Sequence, residues 1–258
     1  MFKIRKPSPN IWISILISSY NTKYEYIKEC LKSIELQVGG FGIELVWIND
    51  GSSNENSLLL ENELKLFINN RKYSGVKYKK FEENQGIAKC LEEGVKLCSH
   101  EIIIKMDSDD IMLPHRIKTQ LDFMTNHPDC VMCGSNIQMF KVNENNSKEF
   151  GVKTNMQSTI TWDLFKKNKP LWFINHPSIC YKKSAILIVG NYNVDLSRTC
   201  LEDYDLELRI LKKYGIVYNI PEVLMYYRIH PDQVTWNNKS RTPENNELRT
   251  KIIQEMIE

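Results

Sequence analysis

The sequence predicts an α/β fold built on a mostly parallel, twisted sheet with helices on both faces. Two features of the first hundred residues support this prediction. Short β-branched apolar segments of strand length alternate with segments whose apolar residues recur at helical spacing, and the connections between them are short. The predicted strands are 11–17, 44–48, 76–81 and 101–106, and the predicted helices are about 22–34, 54–69 and 87–97.

The side chains of the first two helices suggest further detail. Thr22 and Glu25 have the spacing of a capping box, in which the threonine hydroxyl accepts a hydrogen bond from a free amide of the first helical turn. In the second helix, the residues expected on the buried side are Leu58, Leu59, Leu64 and Phe67.

The second half of the chain is expected to form a mixed or antiparallel extension of the sheet. The predicted strands there are 130–134, 137–142, 217–220 and 223–229. The predicted helices are 114–126, 158–167, 183–189, 202–214 and one that starts at Pro243. Residues 143–147 are asparagine-rich and are expected to form a hairpin tip or loop. Because no linker or repeat interrupts the chain, residues 1–258 are predicted to form a single domain.

The composition argues against several classes of protein. The 258 residues include 42% hydrophobic residues, enough for a substantial core. The 34 basic and 32 acidic residues leave a net charge of +2, so nothing indicates binding to nucleic acid or to a membrane surface. No segment approaches the length of a transmembrane helix, and the first ten residues have no apolar signal sequence. We therefore expect a soluble cytoplasmic protein, and the sequence leaves a homodimer open.

The cysteines also favour a reducing compartment. The seven cysteines are odd in number and lie mostly within apolar segments, where a free thiol behaves as a small hydrophobic group. Cys130 and Cys133 have C-x-x-C spacing, but no second pair accompanies them. We therefore expect neither a zinc site nor a redox site there.

The most informative segment is the strand 101–106, because it ends in acids. The residues that follow it are Asp107, Ser108, Asp109 and Asp110. Carboxylates so close together repel one another unless a cation holds them. Mg²⁺ binds one or two carboxylates while a phosphorylated substrate completes its shell, so this turn is a candidate metal site. The alternative is an acidic turn that caps the helix predicted near Pro114.

Two other strand ends carry small polar groups. Ser18, Ser19 and Tyr20 follow the first strand, and residues 49–52 follow the second. Parallel strands bring all three turns to the same edge of the sheet, where open α/β sheets bind ligands. An acidic turn that only caps a helix gives no reason for matching polar turns at two other strand ends. The convergence therefore favours a binding site.

A second group of acids occupies the first turn of the helix 202–214. These residues are Glu202, Asp203 and Asp205. Acids at this position interact favourably with the helix dipole. From the residues alone, the choice between a structural and a functional role stays open.

Six short motifs, taken in order, resemble those of family 2 glycosyltransferases with the GT-A fold. They are 18–21, 49–52, 84–89, 107–110, 202–203 and 227–230, and the resemblance extends from about residue 11 to 235. Residues 107–110 resemble the family's D-x-D motif, and 84–89 resemble its N-x-G-x-x-[RK] segment. Each motif alone is weak, but six in the right order are specific.

The resemblance implies a fold and an activity. It implies a donor-binding half at 1–110, an acceptor and catalytic half at 111–240, and a C-terminal helix at 241–258. It also implies transfer of a hexosyl or N-acetylhexosaminyl group from a nucleoside diphosphate, usually UDP, to a hydroxyl of a glycan or glycoconjugate. The transfer would invert the anomeric carbon.

The resemblance assigns donor contacts residue by residue. Asp50 matches the residue that accepts a hydrogen bond from uracil N3–H, and the turn of Ser18, Ser19 and Tyr20 would line the base pocket. Lys89 would approach a phosphate, and Ser108 would lie beside the donor. The structural alternatives are an ordinary turn aspartate at position 50 and a solvated helix lysine at position 89.

The resemblance also implies a metal ion, Mn²⁺ or Mg²⁺, that neutralises the leaving diphosphate. Asp109 would be the direct ligand, Asp107 would contact the ribose and the metal shell, and His230 would be the third protein contribution. A histidine ligand favours Mn²⁺, because nitrogen ligands suit transition metals better than Mg²⁺. The alternative for His230 is a structural role after a strand.

Catalysis is assigned to the acids of the Glu-Asp motif. Asp203 would be the general base that takes the proton of the acceptor hydroxyl, and Glu202 would orient the acceptor or the base. Asp205 is expected to be a helix-dipole acid. The acceptor pocket is expected around Trp172, His176 and the loop before the motif.

Some residues depart from the family pattern. Asn49 stands where many relatives have Asp, and Glu92 stands where many have Asn. The Gln-x-x-Arg-Trp signature of processive synthases is absent from the sequence, which favours the addition of single sugars.

Two other functions compete with the transferase. A sugar-phosphate nucleotidyltransferase would require a glycine-rich, basic loop after the first strand, which residues 18–21 do not provide. An inactive binding module of the same fold would have no need to retain Asp109, Asp203 and His230.

Overall fold

The computed structural model of the chain describes residues 11–68, 73–169, 172–233 and 242–258. Strands within these ranges are β1 (Ile11–Ser19), β2 (Phe41–Asn49), β3 (Tyr73–Lys80), β4 (Ile102–Asp107), β5 (Ile111–Met112), β6 (Met132–Val142), β7 (Lys148–Lys153), β8 (Thr159–Thr161), β9 (Cys180–Lys182) and β10 (Ile216–Arg228). Helices are α1 (Tyr24–Glu35), α2 (Asn54–Ile68), α3 (Ile87–Leu97), α4 (Arg116–Asn126), α5 (Trp162–Asn168), α6 (Lys183–Ile188), α7 (Glu202–Tyr214) and α8 (Pro243–Ile257).

The strands form one mixed sheet in the order β3-β2-β1-β4-β9-β6-β10-β5, with β7 beside β6 and β8 beside β10. The first half is parallel, because β1 pairs with β2 and β4, and β2 pairs with β3, all in parallel. The second half is mixed. In it β9 runs antiparallel to β4 and β6, whereas β10 runs parallel to β6. Both predicted features of the sheet, the parallel first half and the mixed second half, are confirmed.

Alternate side chains of the central strands build the two faces of the core. Leu16 and Ile103 pack with residues of α3 and α7 on one face. Ile15 and Ile104 pack with residues of α1, α2 and α4 on the other face. Every residue of β2 is buried, as expected for a strand covered by helices on both faces.

Two predicted breaks in the strands are absent. Residues 130–134 and 137–142 were expected to be separate strands, but β6 runs through both because Ser135 and Asn136 are buried and hydrogen-bonded. Likewise, β10 replaces the predicted strands 217–220 and 223–229. Its pairing with β6 shifts register between Ile220 and Met225, around Pro221, which has no amide hydrogen to donate.

Three other local expectations were wrong. Helix α1 begins at Tyr24 without a side-chain cap, because the Thr22 hydroxyl is hydrogen-bonded to Ser108 Oγ at 2.8 Å. Leu58 is 58% exposed, and Leu60 takes the buried position in α2. The helix expected at 158–167 is divided, since 159–161 pair with β10 as β8 and α5 starts at Trp162.

Candidate functional site

The predicted meeting of three polar turns at one edge of the sheet is present. The register pairs Ser19 with Asn49 and Ser18 with Asp107, so β1, β2 and β4 end side by side. Side chains also connect the turns. The Asn21 amide donates to Ser52 Oγ at 2.9 Å, and the Thr22 and Ser108 hydroxyls are 2.8 Å apart.

The serines and the tyrosine of the first turn differ in exposure. Ser18 is partly buried, and the buried Ser19 hydroxyl accepts a hydrogen bond from Trp47 Nε1 at 2.8 Å, so Ser19 fixes the core. The Tyr20 side chain is 53% exposed. Its ring is therefore free to stack on a planar ligand at the sheet edge.

Asp50 joins the second turn to the loop 84–86. One carboxylate oxygen accepts from the Gln85 amide at 2.7 Å. The other accepts from Asn84 Nδ2 at 2.9 Å and from the Gly86 amide at 3.0 Å. Asp50 is 4% exposed, and these bonds hold the two turns together.

Gly51 makes this close approach of the turns possible. Its φ is +71°, and a Cβ at this position would lie 2.4 Å from the carbonyl carbon of Glu83. Gly51→Ala is therefore expected to lower stability by about 1–3 kcal/mol and to move Asp50 away from the loop 84–86. A matched control is Gly215→Ala, because Gly215 also has a positive φ, +80°, but has no atom within 4 Å of its Cβ position.

Thermal melts and UDP titrations of the two glycine variants test this expectation. Both variants should melt below the wild type, but only Gly51→Ala should lose UDP affinity. Equal UDP affinity in Gly51→Ala and wild type would contradict a role of this turn in nucleotide binding.

The acidic turn 107–110 is fixed mainly by Arg228. The Arg228 amide donates to Asp110 Oδ1 at 2.8 Å, and Arg228 Nε donates to the Asp109 carbonyl at 2.7 Å. The guanidinium forms an ion pair with Glu29 and lies over the Tyr26 ring, 4.2 Å from its centroid. Arg228 lies in the sequence motif 227–230, but its own role was not predicted.

Asp110 is the deepest acid of the turn. Its side chain is fully buried, and Oδ2 makes no hydrogen bond to the described residues. Burial raises the pKa of Asp110 well above its usual range, and the neighbouring Asp109 and Asp107 charges raise it further. Burial and these two charges thus disfavour the ionised form of Asp110, whose bond to the Arg228 amide fixes the turn.

Asp109 and His230 lie together, as the metal assignment requires. His230 Nε2 is 2.8 Å from Asp109 Oδ2, and both side chains are partly exposed. Asp107, however, forms an ion pair with Lys105. Within the described parts of the chain, no three His, Cys, Asp or Glu side chains are close enough to hold a metal ion by themselves. A metal held by Asp109 and His230 would thus have two protein ligands, and a substrate's phosphates would have to complete its shell.

Two acids at the start of α7 have raised pKa values. Glu202 is 5% exposed, and burial together with the Asp203 charge raises its pKa to about 8. Burial also raises the pKa of Asp203 to about 6, although the Tyr204 amide donates to its carboxylate at 2.7 Å. Near neutral pH, Asp203 is thus an ionised acid whose basicity is high for an aspartate.

Asp205 has a structural role. Arg209 donates to its carboxylate from two nitrogens, at 2.6 Å and 2.9 Å, one turn along the same helix. This agrees with the expectation that Asp205 supports the helix.

Three buried side chains, one of them from α7, are linked by hydrogen bonds close to these acids. His176 Nδ1 is 2.9 Å from Glu207 Oε1, and the Tyr192 hydroxyl is 3.3 Å from His176 Nε2. His176 was expected in the acceptor pocket, but it is only 7% exposed and supports α7 from below. Glu207 was not predicted, because an acid at helical spacing gives no sign that it is buried.

Lys89 is occupied by neighbouring acids. Its ammonium lies 2.9 Å from Glu92 and 3.0 Å from Glu93. The departure noted at position 92 therefore changes the surroundings of this lysine, and a phosphate would have to compete with two carboxylates.

Two concave surfaces adjoin the site. A polar cleft of about 400 Å³ borders the loop that Asp50 holds, and its lining includes Asn84, Asp195 and Arg198. A smaller pocket of about 160 Å³ includes Trp172, whose ring centroid lies 6.3 Å from that of Tyr204, the neighbour of Asp203.

In the ranges that the structure describes, no helix is both long enough and apolar enough to cross a bilayer.

Comparisons with known proteins agree on one family. The model of glycosyl transferase family 2 matches residues 14–188. The amylovoran biosynthesis glycosyltransferase AmsE of Erwinia amylovora is 30% identical over 233 residues, which are 87% of this chain and 80% of the relative. The UDP-Gal:alpha-D-GlcNAc-diphosphoundecaprenol beta-1,3-galactosyltransferase of Escherichia coli is 31% identical over 186 residues, covering 72% of this chain and 62% of the relative.

A solved structure shows the same fold. The structure of S. aureus TarS 1-349 in complex with UDP matches with a TM-score of 0.69 at 19% identity, covering 96% of this chain and 65% of that chain. Sequence, fold and site geometry lead to one conclusion: the chain belongs to glycosyl transferase family 2 and is a glycosyltransferase with the GT-A fold.

Proposed function

We propose that this enzyme transfers a single sugar from a UDP-sugar to an acceptor hydroxyl of a glycan or glycoconjugate, with inversion at the anomeric carbon and with Mn²⁺ or Mg²⁺ bound. The observation that carries this proposal is the meeting of two kinds of acid at one sheet edge. The burial-perturbed Asp203 lies near enough to Asp107 for that charge to affect its pKa. This proximity supports a base at Asp203 that would face a donor held at Asp107.

The nucleotide would bind where β1 and β2 end. The exposed Tyr20 ring offers a stacking surface for uracil, and the turn of Ser18 and Ser19 borders it. Asp50 fixes the neighbouring loop, and its carboxylate would accept from uracil N3–H. The TarS complex with UDP supports the choice of a uridine nucleotide.

Asp109 and His230 would hold the metal ion, and Asp107 and Ser108 of the same turn would contact the ribose and diphosphate. When bound, the ion supplies positive charge to the leaving diphosphate. Asp109 Oδ2 and His230 Nε2 are 2.8 Å apart, so the two atoms are close enough to serve as neighbouring ligands of one cation.

Asp203 would take the proton of the acceptor hydroxyl as that oxygen attacks the anomeric carbon. The nearly buried Glu202, with its raised pKa, is protonated at neutral pH, so it would orient the acceptor or Asp203 as a hydrogen-bond donor. The pocket at Trp172 is a candidate surface for the acceptor, because an aromatic ring and nearby amides suit sugar rings.

A panel of UDP-sugars tests the proposal. The purified protein, with Mn²⁺ and without it, should release UDP from one UDP-sugar faster than from the others, and chelation should stop the release. The rate should rise with pH through about 6 as Asp203 loses its proton. Release from GDP- or TDP-sugars alone would overturn the uridine assignment, and release unaffected by chelation would overturn the metal assignment.

A further inference from the structure

Lys105 is a buried cation at the proposed transfer site, and no role has yet been assigned to it. It lies in β4 among isoleucines and a methionine, and it is only 2% exposed. Burying a lysine is unfavourable unless the ammonium is paired. Its partner is the Asp107 carboxylate, two residues further along the strand.

The register of the sheet shows which face Lys105 occupies. Lys105 pairs with Leu16, whose side chain packs with residues of α3 and α7. Lys105 therefore points to the side of the sheet on which the acids of α7 lie. It is the charged group between the end of the donor-side strand β4 and the first turns of α7.

Lys105 pairs directly with Asp107 of β4. Its charge also affects the pKa of five other groups, namely Asp110 after β4, the acids Glu202, Asp203 and Glu207 of α7, and His176 of the short helical turn that precedes β9. Among the described residues, Glu202 and Asp203 form no ion pair with any lysine or arginine, and Asp107 forms one only with Lys105. Lys105 is thus the cation that faces acids from both sides of the site.

Lys89, which the motif 84–89 suggests as the cation near the donor, is placed differently. Its ammonium is partly exposed and lies between Glu92 and Glu93 of its own helix. The motif lysine is neutralised by partly buried acids of its own helix, whereas the strand lysine lies inside the proposed site.

We propose that Lys105 is a positioning residue for sugar transfer: its ammonium holds Asp107 at the end of β4 and counters the negative charge of Asp203 at the start of α7. This inference rests on the proposed transfer function. The donor-side turn and the base both carry negative charge, so they repel each other across the site. A buried ammonium that pairs with Asp107 offsets this repulsion and keeps the carboxylates in place before the donor arrives.

The shifted pKa of Asp203, the proposed base, is consistent with Lys105 lying near it. Burial raises the pKa of Asp203, and the nearby Lys105 charge limits that rise. Loss of the ammonium should therefore make Asp203 harder to ionise. It should also release Asp107, the predicted ribose and metal-shell contact.

The test measures UDP affinity with Mn²⁺ and the pH dependence of UDP release from the preferred UDP-sugar. Lys105→Met should lose UDP affinity by at least about tenfold, and the acid limb of its pH profile should move up by about half a unit or more. Lys105→Arg, which keeps the charge, should recover most of both losses. A role in folding alone would not move the pH profile.

Lys77→Met is the matched control. Lys77 also pairs with a buried carboxylate, Glu44, at 2.9 Å, but this pair lies in the middle of β2 and β3, away from the sheet edge that forms the site. The control should lower the melting temperature and leave UDP affinity and the pH profile unchanged.

A double variant keeps the test decisive if Lys105→Met does not fold. Lys105→Met with Asp107→Asn removes both charges, so no unpaired carboxylate remains. If Lys105 acts through Asp107, the double variant should lose no more UDP affinity than Asp107→Asn alone. Additive losses in these variants, or a folded Lys105→Met with affinity within about twofold of wild type and an unmoved pH profile, would overturn the proposal.

UDP binding by the wild type separates an error in the proposed transfer function from an error in the role of Lys105. If the wild type binds no UDP with any metal, the transfer function is overturned and the role of Lys105 falls with it. If the wild type binds UDP and Lys105→Met behaves like it, only the role of Lys105 is overturned.

Discussion

Asp203→Asn is expected to slow sugar transfer by about 10²–10⁴-fold and to leave UDP affinity nearly unchanged. The asparagine keeps the size of the side chain but cannot accept a proton. Asp203 is ionised in the wild type above its pKa of about 6, so the wild-type rate should fall as the pH drops through that value. The variant should lose both the rate and this pH dependence. Initial rates of UDP release between pH 5 and 8 measure both.

Asp205→Asn is the matched control for this variant. Asp205 lies in the same first turn of α7, but its carboxylate is bound by Arg209 rather than directed to the site. The control should transfer sugar at close to the wild-type rate. Wild-type transfer by Asp203→Asn would show that another group removes the acceptor proton.

Asp109→Asn is expected to abolish the metal-dependent part of UDP binding, a loss of at least about tenfold in affinity with Mn²⁺ present. The amide can still hydrogen-bond to His230, 2.8 Å away, so the turn should keep its shape. Removing this charge also takes away one of the two neighbouring charges that raise the pKa of the buried Asp110, so the metal-free protein should be no less stable than the wild type.

The control here is Asp122→Asn, since Asp122 forms an exposed ion pair with Lys118 on α4. Calorimetric titration with UDP, with and without Mn²⁺, should separate the two variants. If Asp109→Asn bound UDP with Mn²⁺ as tightly as the control, Asp109 would not be a metal ligand.

The strand ends were predictable from the sequence because their signal is local. An apolar run of strand length that stops at polar residues fixes both the strand and the position of its turn, as Asp50 and Asp107 show. Parallel pairing then brings such turns to one edge. Helix α7 was predictable for a similar reason, since its apolar spacing stops at Gly215, which ends the helix at a φ of +80°.

Features that depend on distant partners could not be predicted. Ser135 and Asn136 suggest a break in a strand, but they are buried because Ser178 and the Pro221 carbonyl hydrogen-bond to them. Thr22 has the spacing of a helix cap, but Ser108, which is 86 residues away, pairs with its hydroxyl. The spacing of residues along the chain does not show which distant group will hydrogen-bond to a polar side chain.

In the candidate site, too, some features were predictable from local sequence and others depend on distant partners. The positions of Asp109, His230 and Asp203 were accessible through motifs, whereas the supporting charges were not. Lys105 looks like an interruption of an apolar strand, and its importance is visible only when Asp107 and α7 are placed around it. Likewise, Lys89 matches a motif, but its neighbours Glu92 and Glu93 determine what it contacts.

The central claim is that this site binds a uridine nucleotide together with a divalent cation. The most direct measurement is a calorimetric titration of the wild-type protein with UDP, in Mn²⁺ and again in excess chelator. The account predicts saturable binding with Mn²⁺ that weakens by at least about tenfold in chelator. Equal UDP binding in both conditions, or no UDP binding in either, would contradict it.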